Sequence, residues 1–192
     1  MDTIYLKECT DKLNELKWDA QKMQKKGLPF MMASVVIWTL IALVQFMKKD
    51  IMAINMYTFL CSCFLMPLAF IFSKVIKVDI FKKTDNPINK LGFLCTMNQM
   101  LYLVIVMWAF NKSPQSMLML YGVVFGAHLL PFGWIYDSRT YTVMAVVETI
   151  GTILFFYLFG RISTIGFMII SQIIVCICLA VEIRKARKQV EN

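Results

Sequence analysis

The chain has 192 residues, 59% of them hydrophobic and 17% charged, an apolar share above the ~45–50% of an ordinary soluble domain. The excess lies in runs near the roughly 20 residues needed to cross a bilayer, which excludes a water-soluble globular domain and a disordered chain. The net charge of +8 flanks those runs without forming a basic patch interleaved with aromatics, so the lipid bilayer is the expected partner and nucleic acid is not.

Residues 1–26 form the first unit. Leu6, Cys9, Leu13, Leu16, Ala20 and Met23 recur at spacings of three and four, which predicts an amphipathic cytoplasmic helix with one apolar stripe. Its six lysines are nearly balanced by Asp2, Glu8, Asp11, Glu15 and Asp19, which weakens a drive toward anionic lipid and favours packing on protein. That protein is either its own bundle or a second copy, giving a homo-oligomer; a lipid surface with Trp18 as anchor is the third reading. Gly27 and Pro29 set this helix off from the first long apolar run. The segment has no apolar core of the signal-peptide kind, so no cleavage is expected.

Six runs then predict transmembrane helices at about Leu28–Met47, Ile51–Ser73, Leu91–Phe110, Gln115–Tyr136, Tyr141–Phe159 and Ile162–Glu182, continuously apolar and not alternating as barrel strands would be. Asn86-Pro87 and Ser113-Pro114 read as helix caps followed by a first-turn proline, and Asp137-Ser138 as the turn between spans four and five. Gly160-Arg161 marks either a tight hairpin or a partly re-entrant segment. The expected fold is all-α: a polytopic membrane helix bundle of six transmembrane helices over residues 27–183, preceded by the amphipathic helix and followed by a short basic tail, 184–192.

Orientation follows from the cations. Lys7, Lys12, Lys17, Lys22, Lys25, Lys26, Lys74, Lys77, Lys82, Lys83, Lys90, Arg139, Arg184, Lys185, Arg187 and Lys188 fall on one side, 16 in all, against Lys48, Lys49, Lys112 and Arg161, 4 in all, on the other. With loops this short, both termini are expected in the cytoplasm.

Ionisable groups within spans are costly and so are functional candidates. His128 lies in span four and Glu148 in span five, and helical rise puts both in one cytoplasmic-half layer with Asn98 and Gln172, which Gln99 extends. A Glu148–His128 pair could hold or pass a proton, with Asn98 and Gln172 binding a polar solute; alternatively the two only hydrogen-bond across helices and fix packing, or His128, beside Pro131, bonds a carbonyl freed by the kink. Gly122, Gly126 and Gly133 make a narrow face for close helix approach, within the chain or in a dimer. Pro67 and Pro131 mark kinks.

The six cysteines lie in no extracytoplasmic loop, so disulfides are not expected. Cys61/Cys63 and Cys176/Cys178 are two apart and diverge on a helix, so they do not chelate metal. No hydrolase, nucleotide or metalloprotease motif occurs, and neither an enzyme nor a cofactor is expected. The strings Leu28-Pro29-Phe30, Leu65-Met66-Pro67-Leu68-Ala69-Phe70, Lys77-Val78-Asp79, Asn98-Gln99 and Phe125-Gly126-Ala127-His128-Leu129-Leu130-Pro131 resemble a family of small bacterial multi-pass membrane proteins of unknown function, over about residues 27–137. The resemblance implies a bacterial plasma (inner) membrane and brings no activity or ligand. Two functions remain in view: a small carrier or binding protein for a polar solute or proton, or a non-transporting interaction protein acting through the amino-terminal helix and the Gly122/Gly126 face.

Overall fold

A computed structural model describes residues 2–80 and 84–191, with side chains for 4–80 and 84–186. Of the cations that set the orientation, Lys82 and Lys83, and the side chains of Arg187 and Lys188, lie outside the described residues. The fold is all-helical, with no strand among the described residues: α1 Asp2–Gln24, a 3-10 turn Lys25–Gly27, α2 Leu28–Gln45, α3 Ile51–Ser62, α4 Leu65–Val75, α5 Pro87–Lys112, α6 Met117–Ala127, α7 Leu129–Ile135 and α8 Arg139–Glu191. The expected basic tail is therefore a helical continuation of α8 as far as Glu191.

Five helical segments are long and apolar enough to cross a membrane: Ile4–Gln45, Ile51–Val75, Pro87–Lys112, Met117–Ile135 and Arg139–Ala186. Counted as helices these are five, not the expected six plus a separate amphipathic helix, because helical residues run on through two places where the sequence predicts ends. Each run contains a backbone break. Lys25, Lys26 and Gly27 all have positive φ (43°, 51° and 70°), which turns the chain between α1 and α2. Within α8, Gly160 takes φ 82°, ψ −175°, a conformation only glycine adopts without strain.

That one residue reverses the chain. Thr152 Oγ1 donates to Met168 Sδ at 3.2 Å, Phe155 stacks on Phe167 at 4.6 Å, and Ser138 Oγ donates to Glu182 at 2.8 Å. All three pairs are centred on Gly160-Arg161, so the limbs before and after Gly160 lie antiparallel. Local chemistry sets other ends. Asn86 Oδ1 accepts from Ile88 N at 2.9 Å and caps α5, as its sequence predicts. At Ser113-Pro114 the expected helix start is moved: residues 114–116 form a turn, closed by Ser116 N to Ser113 O at 3.0 Å, and α6 begins at Met117. The α3–α4 break at Cys63-Phe64 lies one turn before Pro67, and the α6–α7 break falls at His128, before Pro131; each proline lacks the amide that would continue the ladder.

Two apolar cores fill the bundle. One joins Ile37, Trp38 and Ile41 of α2 to Tyr121, Phe125, Ile165 and Met168; the other joins Met31, Leu129, Tyr141, Met144, Val175 and Leu179 to Ala20 of α1. The second half of α1 is docked there: Asn86 Nδ2 donates to Leu16 O at 2.8 Å and to Asp19 at 3.0 Å, and Lys17 Nζ sits 3.6 Å from the Trp134 ring centre. Its first turns project, with Ile4 and Tyr5 exposed by 79% and 68%. Helix α5 is peripheral, packing on α6, α7 and α1 and turning Phe93, Leu94, Leu101 and Trp108 outward.

Candidate functional site

Between the two apolar cores lies a polar layer made by α2 and both limbs of α8. Gln172 Nε2 donates to Glu148 Oε1 at 2.7 Å. The Ser34 hydroxyl stands 2.7 Å from Gln172 Oε1 and 2.7 Å from the Met31 carbonyl, and its single proton serves one of them at a time. Glu148 and Gln172 are wholly buried and Ser34 nearly so. Glu148 Oε2 makes no hydrogen bond of good geometry among the described residues: the Ser171 hydroxyl lies in range of the carboxyl but donates to the Met168 carbonyl at 2.9 Å. The neighbouring Thr149 Oγ1 is also unpaired among the described residues. Buried polar atoms are satisfied almost everywhere in native proteins, so an unpaired carboxyl oxygen here is an exception that needs a cause.

Close approach makes this geometry. A Cβ on Gly126 would stand 2.8 Å from Thr149 N and 2.9 Å from Glu148 Cβ, one on Gly122 2.8 Å from Thr152 Cγ2, and one on Gly133 2.3 Å from Thr142 Oγ1. The three glycines thus seat the first limb of α8 directly on α6 and α7, and that face is filled by the chain itself.

The remaining sequence candidates lie elsewhere. His128 sits at the α6–α7 break with Nδ1 bonded to the Phe125 carbonyl and its ring edge-on to Phe125 and Phe132; it makes no ion pair with Glu148. Asn98 is exposed on α5 and donates to Tyr102 Oη at 2.8 Å. Gln99 is half-buried on the same helix, which packs mainly on α6, α7 and α1. Of the five polar candidates, only Glu148 and Gln172 are brought together, and Ser34 joins them.

Two further polar clusters tie the second limb of α8 to α2 and to the turn before it, on either side of that layer. At one end Arg161 Nε donates to Gln45 Oε1 at 2.6 Å and Nη2 to Asn55 Oδ1 at 2.6 Å, while Nη1 is buried without a partner. At the other end Lys26 Nζ pairs with Glu182 Oε2 at 2.9 Å, and Glu182 also accepts from Ser138 Oγ, Thr140 N and Thr140 Oγ1. Arg161 and Glu182 are about 31 Å apart along the limb at ~1.5 Å per residue, close to the ~30 Å hydrocarbon thickness of a bilayer, and Gln172 falls near the midpoint. The polar layer therefore lies near the middle of this length.

Neither cluster is legible as a site in the sequence, where Lys26 and Arg161 serve as boundary charges. The available signal is register: a reversal at Gly160 brings residue 172 opposite 148 and 182 opposite 138–140. Among the described residues, no group of three His, Cys, Asp or Glu side chains comes together to hold a metal, and the described cysteines are free thiols.

Residues 13–182 match the model of DUF7010, a family of unknown function, and the chain belongs to that family. The match takes in the second half of α1 and both limbs of α8, extending the region of resemblance at both ends. No curated protein and no solved structure matches the chain.

Proposed function

We propose that this chain, as a member of a family without an assigned activity, is an integral membrane protein of six crossings that carries protons through the Glu148–Gln172–Ser34 centre. In this reading Arg139–Ala186 crosses twice, reversing at Gly160, because a straight helix of 48 residues would reach about 72 Å at ~1.5 Å per residue, more than twice the bilayer core. The excess of Lys and Arg puts both termini in the cytoplasm, with α1 docked on the cytoplasmic face; a bacterial inner membrane is the setting the family resemblance suggests.

The observation that carries the reading is the sealed Glu148 carboxyl with one oxygen unpaired. The centre can bond one oxygen of that carboxyl in either protonation state. When Glu148 is ionised, Gln172 Nε2 donates to it and Gln172 Oε1 accepts from Ser34, as seen here. When Glu148 is protonated, the Gln172 amide turned over accepts from the carboxyl and donates to Ser34, whose proton then goes to the Met31 carbonyl. No cationic side chain bonds to the centre among the described residues, which suits a cationic cargo and disfavours an anionic one.

The test is proton flux into vesicles holding the purified protein and an internal pH dye, driven by a potassium gradient with valinomycin. Wild-type protein is expected to exceed empty vesicles, and Glu148→Gln to fall to their rate. Wild-type flux no faster than in empty vesicles, or Glu148→Gln flux equal to wild type, overturns the reading. The competing interaction role is favoured by one feature, the projecting Ile4, Tyr5 and Leu6 of α1; its other support, the Gly122/Gly126 face, is occupied inside the chain.

A further inference from the structure

We infer that the Lys26–Glu182 cluster and the Arg161–Gln45–Asn55 cluster are the two gates of the Glu148 centre, opening it to opposite sides in turn, and that the Arg161 gate is the weaker. The inference rests on the carrier reading and adds to it the means of access.

Polar pairs occur at three levels along the seam between the second limb of α8 and α2 with the turn before it: Arg161 with Gln45, Gln172 with Ser34, and Glu182 with Lys26. The apolar core of Ile37, Ile41, Ile165 and Met168 separates the first level from the second, and that of Met31, Val175 and Leu179 separates the second from the third. The outer pairs stand about a bilayer thickness apart. When an outer pair parts, water can solvate the separated groups, whereas a pair parted at the middle level would lose its partners without replacement. Outer clusters of this chemistry can therefore open and close reversibly around a sealed middle one.

Each gate also fastens a different third element. Glu182 takes Ser138 and Thr140 at the start of the first α8 limb. Arg161 takes Asn55 of α3, whose Nδ2 holds the Pro114 carbonyl at 2.8 Å. Opening one end thus moves a different helix from opening the other. The asymmetry follows from donor and acceptor counts: Glu182 has an ammonium and three further donors, whereas Arg161 has two neutral amide oxygens, an Nη1 with no partner and no carboxylate in ion-pair range among the described residues.

Thiol labelling at one reporter position per gate, in lipid nanodiscs where both faces meet the reagent, tests this. One reporter keeps Cys176, which lies between Gln172 and Glu182, with the other five cysteines changed to Ala. The second removes Cys176 as well and introduces a thiol by Ile41→Cys, one turn from Gln45. With a membrane-impermeant maleimide, Glu182→Gln is expected to raise Cys176 labelling roughly tenfold or more and leave position 41 unchanged. Arg161→Gln is expected to do the reverse, and with neither gate altered position 41 should label faster than Cys176. The exchange Lys26→Glu with Glu182→Lys should return Cys176 labelling toward its starting rate, which a misfolded protein would not do.

Equal rises at both reporters, or no rise at either, overturn the inference. Labelling is read without proton flux, so the two failures are distinct: selective labelling without Glu148-dependent flux keeps the gates and removes the cargo, and Glu148-dependent flux without selective labelling removes the gates alone.

Discussion

Gly126→Ala tests whether the first limb of α8 is held in place by direct contact with α6. The added Cβ would stand 2.8 Å from the Thr149 backbone nitrogen and 2.9 Å from Glu148 Cβ, while non-bonded carbons settle at ~3.5–4.0 Å. The limb must then retreat by roughly 0.7 Å, and because one of the clashing atoms is backbone, no side-chain rotation relieves it. Overpacking of this kind costs about 1–3 kcal/mol. Alanine also raises helix propensity by up to ~1 kcal/mol, which would hide part of the loss.

Gly166→Ala supplies the correction, since Gly166 is helical and has nothing within 4 Å of its would-be Cβ. The propensity gain is common to both variants and drops out of their difference. Unfolding of the purified proteins in mixed micelles of increasing denaturing-detergent fraction should show Gly126→Ala less stable than Gly166→Ala by about 1–3 kcal/mol. Equal stabilities would refute the claim that Gly126 seats the limb carrying Glu148.

Gly160→Ala should destabilise by about 1–3 kcal/mol through backbone strain alone, since nothing lies near its Cβ position; a thermal midpoint equal to wild type would contradict the assigned reversal. Lys26→Met leaves Glu182 with its Ser138 and Thr140 donors, so the loss should be about 1–3 kcal/mol, below that of a fully enclosed pair, and Lys26→Met with Glu182→Gln should recover part of it in a double-mutant cycle. Asn86→Ala removes a cap and two bonds to α1, costing about 1–2 kcal/mol. It should also speed trypsin cleavage after Lys17 and Lys22, and unchanged cleavage would show that α1 docks by other means. Glu148→Gln keeps an amide facing Gln172 and should fold with stability within about 1 kcal/mol of wild type, so that its loss of proton flux reads as chemistry.

Features set within one or two helical turns are legible in this sequence. Asn86-Pro87 names a cap because its oxygen reaches the amide two residues on, and Gly27-Leu28-Pro29 marks a break because glycine takes positive φ beside a first-turn proline. Spacing also shows that Glu148 and Gln172 lie within spans. Which spans face each other depends on packing, and there the sequence leaves the alternatives open. His128 and Glu148 are both ionisable and at similar depth, yet His128 is turned to its own Phe125 carbonyl at a broken turn, while Asn98 and Gln99 ride on a peripheral helix. Ser34 carries no signal, because a serine in an apolar span can bond the carbonyl a turn earlier, as it does here to Met31. Arg161 and Glu182 read as boundary charges, since only the register set at Gly160 brings them against Gln45 and Lys26.

A carrier requires that the Glu148 carboxyl, though sealed in this structure, be reached from outside in the working protein. Labelling of Glu148 by a water-soluble carbodiimide and a small amine tests this, with peptide mass spectrometry after treatment of right-side-out and inside-out vesicles. Modification of Glu148 from both faces, absent in Glu148→Gln, is the expected result. A Glu148 untouched from either face, yet modified once the protein is unfolded, would make the centre a packing element and contradict a carrier function.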